Sequence, residues 1–328
     1  MTQANGGATP LVSVVTPAYN VARYIGEAVD SVRRQSFRDF EHLVVDDGSS
    51  DDTVQVVLAR AAGDPRLRLI PIAHGGVSAA RNAAIREARG RYIALLDGDD
   101  RWRPRFLERQ VGLIESLPPD VGMVFCRTRS ILENGLLVKL HWQRAGRYDF
   151  DDFVVRNDPA GNGSSVLIRA SCFAEVGGFD EKLPFAEDLD MWLRIAEGST
   201  SPVLWGGRHF LVDRRLRPGS MTRDTTTAEA VLDELLAAQA AKLRRHVTAE
   251  AYVWPALLAL MYGSDARRAQ EWTELARSAG FARLARSLAG WQLLAWHAMP
   301  GGGRRAVRGT AELARTTVKR AVARLPVS

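Results

Sequence analysis

The carboxylates best suited to chemistry in this sequence form three clusters: Asp46–Asp52, Asp97–Asp100 and Glu187-Asp188. The first two each follow a short apolar run, and adjacent acids at the end of a strand suit the hydroxyls of a ribose or the amide edge of a base as hydrogen-bond acceptors. The third opens an amphipathic helical pattern, where one carboxylate could accept a proton from a hydroxyl nucleophile. These clusters therefore predict binding of a polar ligand and general-base catalysis.

The D-G-D-D run at 97–100 has the composition of a metal-binding turn. Carboxylate oxygens on a tight turn that glycine permits suit Mg²⁺ or Mn²⁺, hard cations that usually also hold substrate phosphates. The alternative is an EF-hand loop ending at Glu108, but Arg101 and Trp102 stand where that loop requires an oxygen ligand and a glycine. The EF-hand is excluded, and a divalent-ion site remains.

Two further side chains follow predicted strand ends, where a nucleotide could bind. Tyr19 follows the first apolar run and could stack on a base; the alternative is a surface aromatic beside a turn formed by Pro17 and Asn20. Arg81 lies early in a predicted helix, where a cation could reach a pyrophosphate; the alternative is an ordinary surface arginine. Taken singly, neither residue identifies a nucleotide site.

Other acids in the clusters have simpler structural explanations. Asp52 is expected to cap a helix, and Asp51 to be a solvated loop charge. In the third cluster, an acidic first turn that complements the helix dipole explains Glu187 and Asp190. Asp188 is left for another role, and general base is the one its position suggests.

The elements that must position these residues follow a βαβ pattern up to residue 117. Short β-branched runs predict strands at Leu11–Thr16, Phe40–Val45, Arg66–Ile72 and Arg91–Leu96. Helical patterns alternate with them, at Val21–Gln35, Asp52–Ala61, Val77–Ala88 and Pro104–Leu117. Such alternation is typical of a doubly wound, mainly parallel sheet, in which ligands bind beyond the carboxyl ends of the strands.

Mixed or antiparallel strands are expected after residue 117. An Asn-Gly pair between Val121–Arg129 and Leu136–His141 predicts a hairpin, and a further strand at Ser165–Arg169 leads to a helix near Glu187–Glu197. After residue 224 the sequence is rich in Ala, Leu and Arg and predicts helices throughout 225–328. The predicted organisation is a disordered stretch at 1–10, an α/β domain at 11–224 and a helical, basic region at 225–328.

The composition is that of a globular enzyme. The chain has 328 residues, of which 46% are hydrophobic and 25% charged, so collagen-like, wholly disordered and multi-span membrane proteins are excluded. Two cysteines favour a reducing compartment, and the start of the chain lacks a secretory signal. The longest apolar stretch, 251–262, is shorter than the roughly 20 residues that cross a bilayer. A cytoplasmic protein is predicted.

Several enzyme classes lose their usual markers. The sequence contains no Walker A motif, no G-x-G-x-x-G and no G-x-S-x-G. A nucleotidyltransferase stays open as an alternative, because it too could hold a metal and a nucleotide with acids at strand ends. That alternative lacks a basic, glycine-rich phosphate loop and leaves Glu187-Asp188 unexplained. A second alternative is a non-catalytic protein that binds anionic surfaces or polymers through a basic tail.

Residues 11–224 resemble the family-2 glycosyltransferases with the GT-A fold. Four segments in the family's order carry the resemblance: VSVVTPAYN, VVDDGSSDDT, GVSAARNAAIREARGRYIALLDGDD and PFAEDLDMWLRIAE. The resemblance implies a Rossmann-like mixed α/β sheet flanked by helices, with a nucleotide-binding half at 11–100 and an acceptor half at 101–224. It also implies an inverting enzyme that transfers one sugar per encounter, since the Q-x-x-R-W motif of the family's processive synthases is absent.

The resemblance further implies a role for each candidate residue. Those roles are nucleoside binding for Pro17, Tyr19 and Asp47, approach to the diphosphate for Arg81, ribose contact for Asp97, binding of Mn²⁺ or Mg²⁺ for Asp99, and general-base catalysis for Asp188. The implied donor is a nucleotide-diphosphate sugar, with a UDP-sugar expected first. The implied acceptor is a glycan or a lipid-linked saccharide, in the synthesis of cell-surface glycan, polysaccharide or glycolipid.

Basic charge is concentrated in the C-terminal third. Residues 1–224 hold 29 Lys and Arg against 30 Asp and Glu, whereas 225–328 hold 15 against 8. Residues 304–325 carry an apolar stripe at helical spacing with arginines largely outside it, downstream of Trp291 and Trp296. Such a helix could lie on an anionic membrane at the inner face, or pack on the domain or on a second copy as a homo-oligomer. No nucleic-acid partner is expected.

Overall fold

The structure is a computed structural model that describes residues 9–148, 163–183 and 187–217. Its first strands are all parallel: β1 (Val12–Ala18), β2 (Phe40–Asp46), β3 (Leu67–Pro71) and β4 (Tyr92–Leu95). The helices between them are α1 (Ala22–Arg33), α2 (Thr53–Ala61) and α3 (Val77–Glu87). All seven elements confirm the sequence prediction, with ends displaced by about two residues or less.

The parallel strands are rich in apolar residues because helices cover both faces of the sheet. Every residue of β1 and of β2 is buried. Ile25 and Val29 of α1 lie in the apolar cluster on one face, whereas α3 packs against β1 and β2. The strand order β3-β2-β1-β4 places the chain reversal beside β1, which is where ligands bind in open sheets of this kind.

The remaining elements turn the parallel sheet into a mixed one. They are β5 (Arg101–Trp102), α4 (Phe106–Glu115), β6 (Val121–Leu132), β7 (Leu137–His141), β8 (Gly146–Tyr148), β9 (Val166–Arg169), α5 (Ala170–Val176), α6 (Glu187–Gly198) and β10 (Val203–Leu216). The full order is β3-β2-β1-β4-β9-β6-β10-β5, with β7 paired to β6 and β8 to β10. Because β9 runs antiparallel to β4 and β6, the predicted mixed α/β sheet is confirmed. The predicted β6–β7 hairpin is confirmed by the antiparallel pairing of those two strands.

The sequence analysis did not predict β10, although it is the longest strand among the described residues. Its second half carries polar and charged side chains that hide the alternation expected of a strand. Two of these, Asp213 and Arg215, are buried because each is paired: Asp213 with Arg129, and Arg215 with Glu27. Ion pairs inside the sheet therefore replace the apolar residues that would have marked this strand.

Several predictions fall on residues that the structure does not describe. They are the disordered start of the chain, the domain boundary near residue 224, and the basic helices of 225–328. Among the helices that are described, none combines the length and the apolar character needed to span a bilayer.

Candidate active site

The predicted site residues meet at one edge of the sheet. Because β1, β2 and β4 are parallel neighbours, the residues that follow them share the carboxyl edge, and Tyr19, Asp47 and Asp97 all lie there. The backbone N–H of Asp47 donates to the carbonyl of Ala18 at 2.9 Å, which ties the first two strand ends together. Pro17 is the exception, since it lies buried within β1, opposite Val45.

An aromatic pair marks the predicted nucleoside end of the site. The ring of Tyr19 is exposed, and it stacks on the imidazole of His74 with centroids 4.1 Å apart and planes 20° apart. Nδ1 of His74 lies 2.9 Å from the buried carboxylate of Asp47. The sequence analysis missed His74, although its position directly after β3, at the same sheet edge, was the available signal.

Asp47 holds the loop that carries His74. Its two oxygens accept backbone hydrogen bonds from Gly75 at 2.7 Å and Gly76 at 2.9 Å, in addition to the contact with His74. The neighbouring Gly48 has φ of +71°, and a Cβ there would lie 3.1 Å from the backbone of the loop. Asp47 therefore fixes the loop whose His74 stacks on Tyr19, so it has a structural role whether or not it also contacts a ligand.

The loop after β2 is tied to the loop after β1 by polar contacts. Asn20, in the left-handed region with φ of +50°, accepts from the backbone N–H of Ser50 at 2.8 Å. Asp51 is exposed in this loop, as predicted, and its carboxylate also accepts from the backbone N–H groups of Ala22 and Thr53. Asp52 occupies the predicted N-cap position of α2, but its side chain makes no capping bond.

A buried arginine joins the turn after β4 to the start of α6. Arg81 donates from Nη1 to Glu187 at 2.7 Å and from Nη2 to Asp97 at 2.8 Å, and its guanidinium carbon lies 5.2 Å from the centre of the Phe179 ring. Burial alone would lower the pKa of Arg81, but the two carboxylates raise it above its ordinary value. The surface-arginine alternative is thereby excluded, and so is the purely dipolar explanation of Glu187.

Asp188 follows Glu187 at the start of α6 and keeps part of its surface accessible. Burial raises its pKa to about 6; the charge of Glu187 adds to the rise, and that of Arg81 opposes it. Its Oδ1 accepts from the backbone N–H of Leu189 at 2.8 Å. A carboxylate whose pKa is raised in this way is matched to proton abstraction from a hydroxyl.

Hydrogen bonds to Ser164 and to the backbone of Arg215 hold the D-G-D-D turn after β4 in place. The backbone N–H of Asp97 donates to Ser164 Oγ at 3.0 Å, and the Ser164 hydroxyl donates to Asp100 at 2.7 Å. Asp100 is buried and also accepts from the backbone N–H of Arg215 at 2.9 Å. Burial, and then the charges of Asp99 and Asp97, raise the pKa of Asp100 well above its ordinary value. Asp100 is therefore a support of the turn.

Asp99 and Asp97 offer the oxygens that a divalent ion would use. Asp99 Oδ2 accepts from Nε of Arg217 at 2.6 Å, while its Oδ1 has no hydrogen-bond partner among the described residues. Asp97 uses Oδ1 for Arg81, and both carboxylates keep part of their surface accessible. No cluster of three or more potential metal ligands occurs in the part of the chain described. These hard oxygens fit Mg²⁺ or Mn²⁺ held jointly by protein and substrate phosphates.

The site thus combines a stacked aromatic pair, a carboxylate turn and a carboxylate of raised pKa at the carboxyl edge of a mixed sheet. The family model for glycosyl transferase family 2 matches residues 13–177, about half of the chain. The chain belongs to that family. The resemblance found in the sequence is confirmed.

Curated relatives match the same part of the chain. The chondroitin synthase of Pasteurella multocida is 34% identical over 191 residues, which are 57% of this chain and 19% of that protein. An uncharacterized glycosyltransferase of Rickettsia bellii is 32% identical over 190 residues, 57% of this chain and 27% of that protein. The chain spans less than a third of the length of these relatives.

Solved structures share the GT-A fold. Mannosyltransferase PcManGT from Pyrobaculum calidifontis, in complex with GDP-Man and Mn²⁺, has a TM-score of 0.60 at 21% identity, covering 95% of this chain and 85% of that one. Residues 1–349 of TarS from S. aureus, in complex with UDP-GlcNAc, have a TM-score of 0.58 at 17% identity, covering 84% of this chain and 83% of that one. At these identities the likeness shows the fold alone.

Proposed function

We propose that this protein is an inverting glycosyltransferase that moves one sugar from a nucleotide-diphosphate sugar to an acceptor hydroxyl. The observation that carries the proposal is Asp188, a carboxylate with a pKa of about 6 at the same sheet edge as the D-G-D-D turn. Arg81 links the two through Glu187 and Asp97. Family membership adds the reaction class.

Asp188 is proposed as the general base. It would take the proton from the acceptor hydroxyl as that oxygen attacks the anomeric carbon, opposite the departing nucleotide. A single in-line displacement inverts configuration at that carbon, so no carboxylate nucleophile like that of retaining glycosidases is required. The raised pKa matches a base that must both be ionised near neutral pH and bind a proton well in the transition state.

Asp99 is proposed to hold Mn²⁺ or Mg²⁺ together with the diphosphate, through the oxygen that makes no bond to Arg217. Such an ion supplies Lewis-acid stabilisation of the negative charge on the leaving diphosphate. Asp97, which is partly accessible, is proposed to accept a hydrogen bond from the ribose. The structure of PcManGT was solved with GDP-Man and Mn²⁺, which supports a metal in a protein of this fold.

The nucleoside is proposed to lie against Tyr19 and Asp47, with Pro17 shaping the floor from within β1. The stacked face of Tyr19 is occupied by His74, so the base would stack on the outer face of the pair or displace the imidazole. Arg81 is proposed to act on the diphosphate through its charge and not through direct hydrogen bonds, since both its Nη groups already donate to carboxylates. A UDP-sugar is the first donor to test.

The acceptor is proposed to be a glycan or a lipid-linked saccharide of the cell surface. The acceptor region predicted from sequence, at Arg127–Ser164, is described only in part. We further propose that residues 291–328 hold the protein at the inner face of a membrane or pair it with a second copy, a proposal that rests on sequence alone. Chondroitin synthases among the curated relatives support a role in polysaccharide synthesis.

The proposal is tested by incubating the purified full-length protein with UDP-, GDP- and dTDP-sugars in the presence of Mn²⁺ or Mg²⁺ and measuring release of the nucleoside diphosphate. At least one donor should be hydrolysed slowly, because water can replace the acceptor. Release of pyrophosphate from a nucleoside triphosphate and a sugar phosphate would instead identify a nucleotidyltransferase. No donor consumption with any nucleotide sugar, while binding persists, would refute catalysis.

A further inference from the structure

We propose that the β6–β7 hairpin of the described domain binds the interface of an anionic lipid bilayer. The hairpin surface is made of the exposed apolar residues at the end of β6, in the connection to β7, in β7 itself and just after it. They are Leu132, Leu136, Leu137, Val138, Leu140 and Trp142. The proposal adds a partner to the proposed glycosyltransferase and depends on that function only for its purpose, which is access to a lipid-linked acceptor.

The hairpin surface is the one concentrated apolar area in the part of the chain that is described. Eight large apolar side chains are exposed among all the described residues, and six of them belong to this surface. The other two are Tyr19 in the candidate active site and Leu58 on α2. Single exposed apolar residues are ordinary, whereas a contiguous group marks a surface that meets an apolar partner. Trp142 is 64% exposed and is the most prominent of the group.

Trp142 meets the ring of Phe210 edge-on, with centroids 4.8 Å apart, but packing among the described residues does not explain the exposed side chains of β7. Successive side chains of a strand point to opposite faces, so a strand that covers a core buries alternate residues. In β7, Leu137, Val138 and Leu140 are all exposed, which means that apolar side chains project from both faces of the strand. Its described pairing is with β6 alone, through residues such as Thr128 and His141.

The charges around the hairpin surface select an anionic partner. Residues 127–147 contain five Arg or Lys and a single acid, Glu133, whose carboxylate is already bound to Arg23 and Tyr24. Arg129 and Arg147 are paired with Asp213 and Asp120, so Arg127 and Lys139 are the cations best placed to meet an anionic partner. Arg127 lies over the ring of Trp142 at 4.8 Å and bonds to backbone carbonyls rather than to acids. Apolar side chains, an amphipathic tryptophan and nearby cations are the combination that a bilayer interface with anionic headgroups binds.

The hairpin surface is joined directly to the active-site edge. At its turn, the carbonyl of Glu133 accepts from Nη1 of Arg215 at 3.0 Å, and Nε of the same arginine donates to the carbonyl of Asp99 at 3.1 Å. One side chain therefore separates the turn from the D-G-D-D motif. A bilayer bound at this surface would lie beside the site to which a lipid-linked acceptor must come.

A second copy of the chain is a less suitable occupant. In a two-fold symmetric contact the same patch meets itself, so basic side chains around the two hairpins would face basic side chains. Lys139 lies in the middle of β7 and would be brought towards its own counterpart. An anionic bilayer instead offers opposite charge to the same residues.

The test uses the full-length protein and vesicles of phosphatidylcholine, with or without about a third of phosphatidylglycerol. The wild type should float with the anionic vesicles at low salt and be released as salt rises. The double substitution Leu137→Ser with Leu140→Ser should lower vesicle binding at least tenfold, and Lys139→Glu should weaken it to a smaller extent. Leu58→Ser, the matched control at an exposed leucine on α2, should bind like the wild type.

Three results would overturn the proposal. They are a wild type that ignores anionic vesicles, a double variant that floats as well as the wild type, and an equal loss in the Leu58→Ser control. The surface would be a protein interface if neither protein bound vesicles, the wild type were a dimer and the double variant were a monomer. Donor affinity, measured by calorimetry without vesicles, should be the same in all variants. If neither the wild type nor any variant bound a donor, that result would count against the proposed function and not against this surface.

Discussion

The guanidinium of Arg81 donates a hydrogen bond of 2.7 Å to Glu187, a residue 106 positions further along the chain. Its other Nη group donates to Asp97 at 2.8 Å, so one buried cation spans the end of β4 and the start of α6. A Cβ at Gly163 would lie 2.9 Å from that group, which shows how closely the backbone approaches it. The proposed base and the proposed metal turn are therefore held at a fixed separation by one side chain.

Arg81→Met should destabilise the protein by about 3–5 kcal/mol, because it leaves two carboxylates without their buried partner. Arg81→Lys should lose less, since an ammonium can still satisfy one of them. Chemical denaturation of both variants measures the difference. Arg105→Met, at an exposed arginine paired with Glu108, whose side chain is also partly exposed, serves as the control. An Arg81→Met variant as stable as the wild type would show that the ion cluster contributes nothing to the fold.

The sequence predicted the sheet edge well, because each motif follows a strand that contains a run of apolar residues. Tyr19, Asp47 and Asp97 had to share an edge once β1, β2 and β4 were read as parallel. Glu187 was assigned to the helix dipole, because nothing in a local pattern shows that a residue will be buried against Arg81. Long-range ion pairs of this kind leave no periodic signal.

The same reason explains what was missed on the other side of the site. Arg215 lies in β10, whose charged residues do not alternate with apolar ones, and Arg217 follows the end of that strand. They contact the D-G-D-D turn only because β10 crosses the sheet beside β5 and β6. His74 sits in a short loop with two glycines and was not distinguished from loop sequence. Its stacking on Tyr19 follows from tertiary placement.

Asp188→Asn should leave donor affinity close to that of the wild type while slowing transfer by roughly 10²–10⁴-fold, the range typical of a lost general base. Calorimetry with the donor and single-turnover transfer separate the two quantities. Glu197→Gln, at an exposed carboxylate near the end of the same helix, is the control and should transfer normally. If donor binding disappeared together with transfer, Asp188 would be a ligand of the donor, and the base would have to be sought elsewhere.

The raised pKa of Asp188 predicts opposite trends in activity and in stability. Transfer should rise with pH through a midpoint near 6, as the carboxyl loses its proton and can act as a base. Stability should fall over the interval between the ordinary Asp pKa and 6, because the folded state there binds more protons than the unfolded one. Asp188→Asn should therefore remove this contribution to the fall and unfold at a higher temperature than the wild type at pH 7.5. An unchanged melting temperature at that pH would show that the carboxylate is not strained by burial.

Asp99→Ala should sharply reduce turnover at every concentration of Mn²⁺ or Mg²⁺, and excess chelator should have the same effect on the wild type. The reason is that the described site has no lysine cluster to neutralise a diphosphate in place of a metal. Binding of Mn²⁺ in the presence of nucleoside diphosphate can be followed directly by electron paramagnetic resonance. Asp120→Ala, at a half-buried acid away from the site and paired with Arg147, should behave as the wild type. Full activity in chelator would rule out the metal.

Replacing Tyr19 by Ala should weaken binding of the nucleoside diphosphate by about 1–3 kcal/mol, the contribution of one base stacked on one aromatic ring. His74→Ala tests how the base is received. If the base stacks on the outer face of the imidazole, this variant should lose affinity as Tyr19→Ala does. If the base displaces the imidazole, removing it should leave affinity unchanged or raise it, because the stack with Tyr19, at 4.1 Å, no longer has to be broken. Calorimetry with UDP, GDP and dTDP on both variants decides between these arrangements, and a Tyr19→Ala variant that binds every nucleotide normally would remove Tyr19 from the donor site.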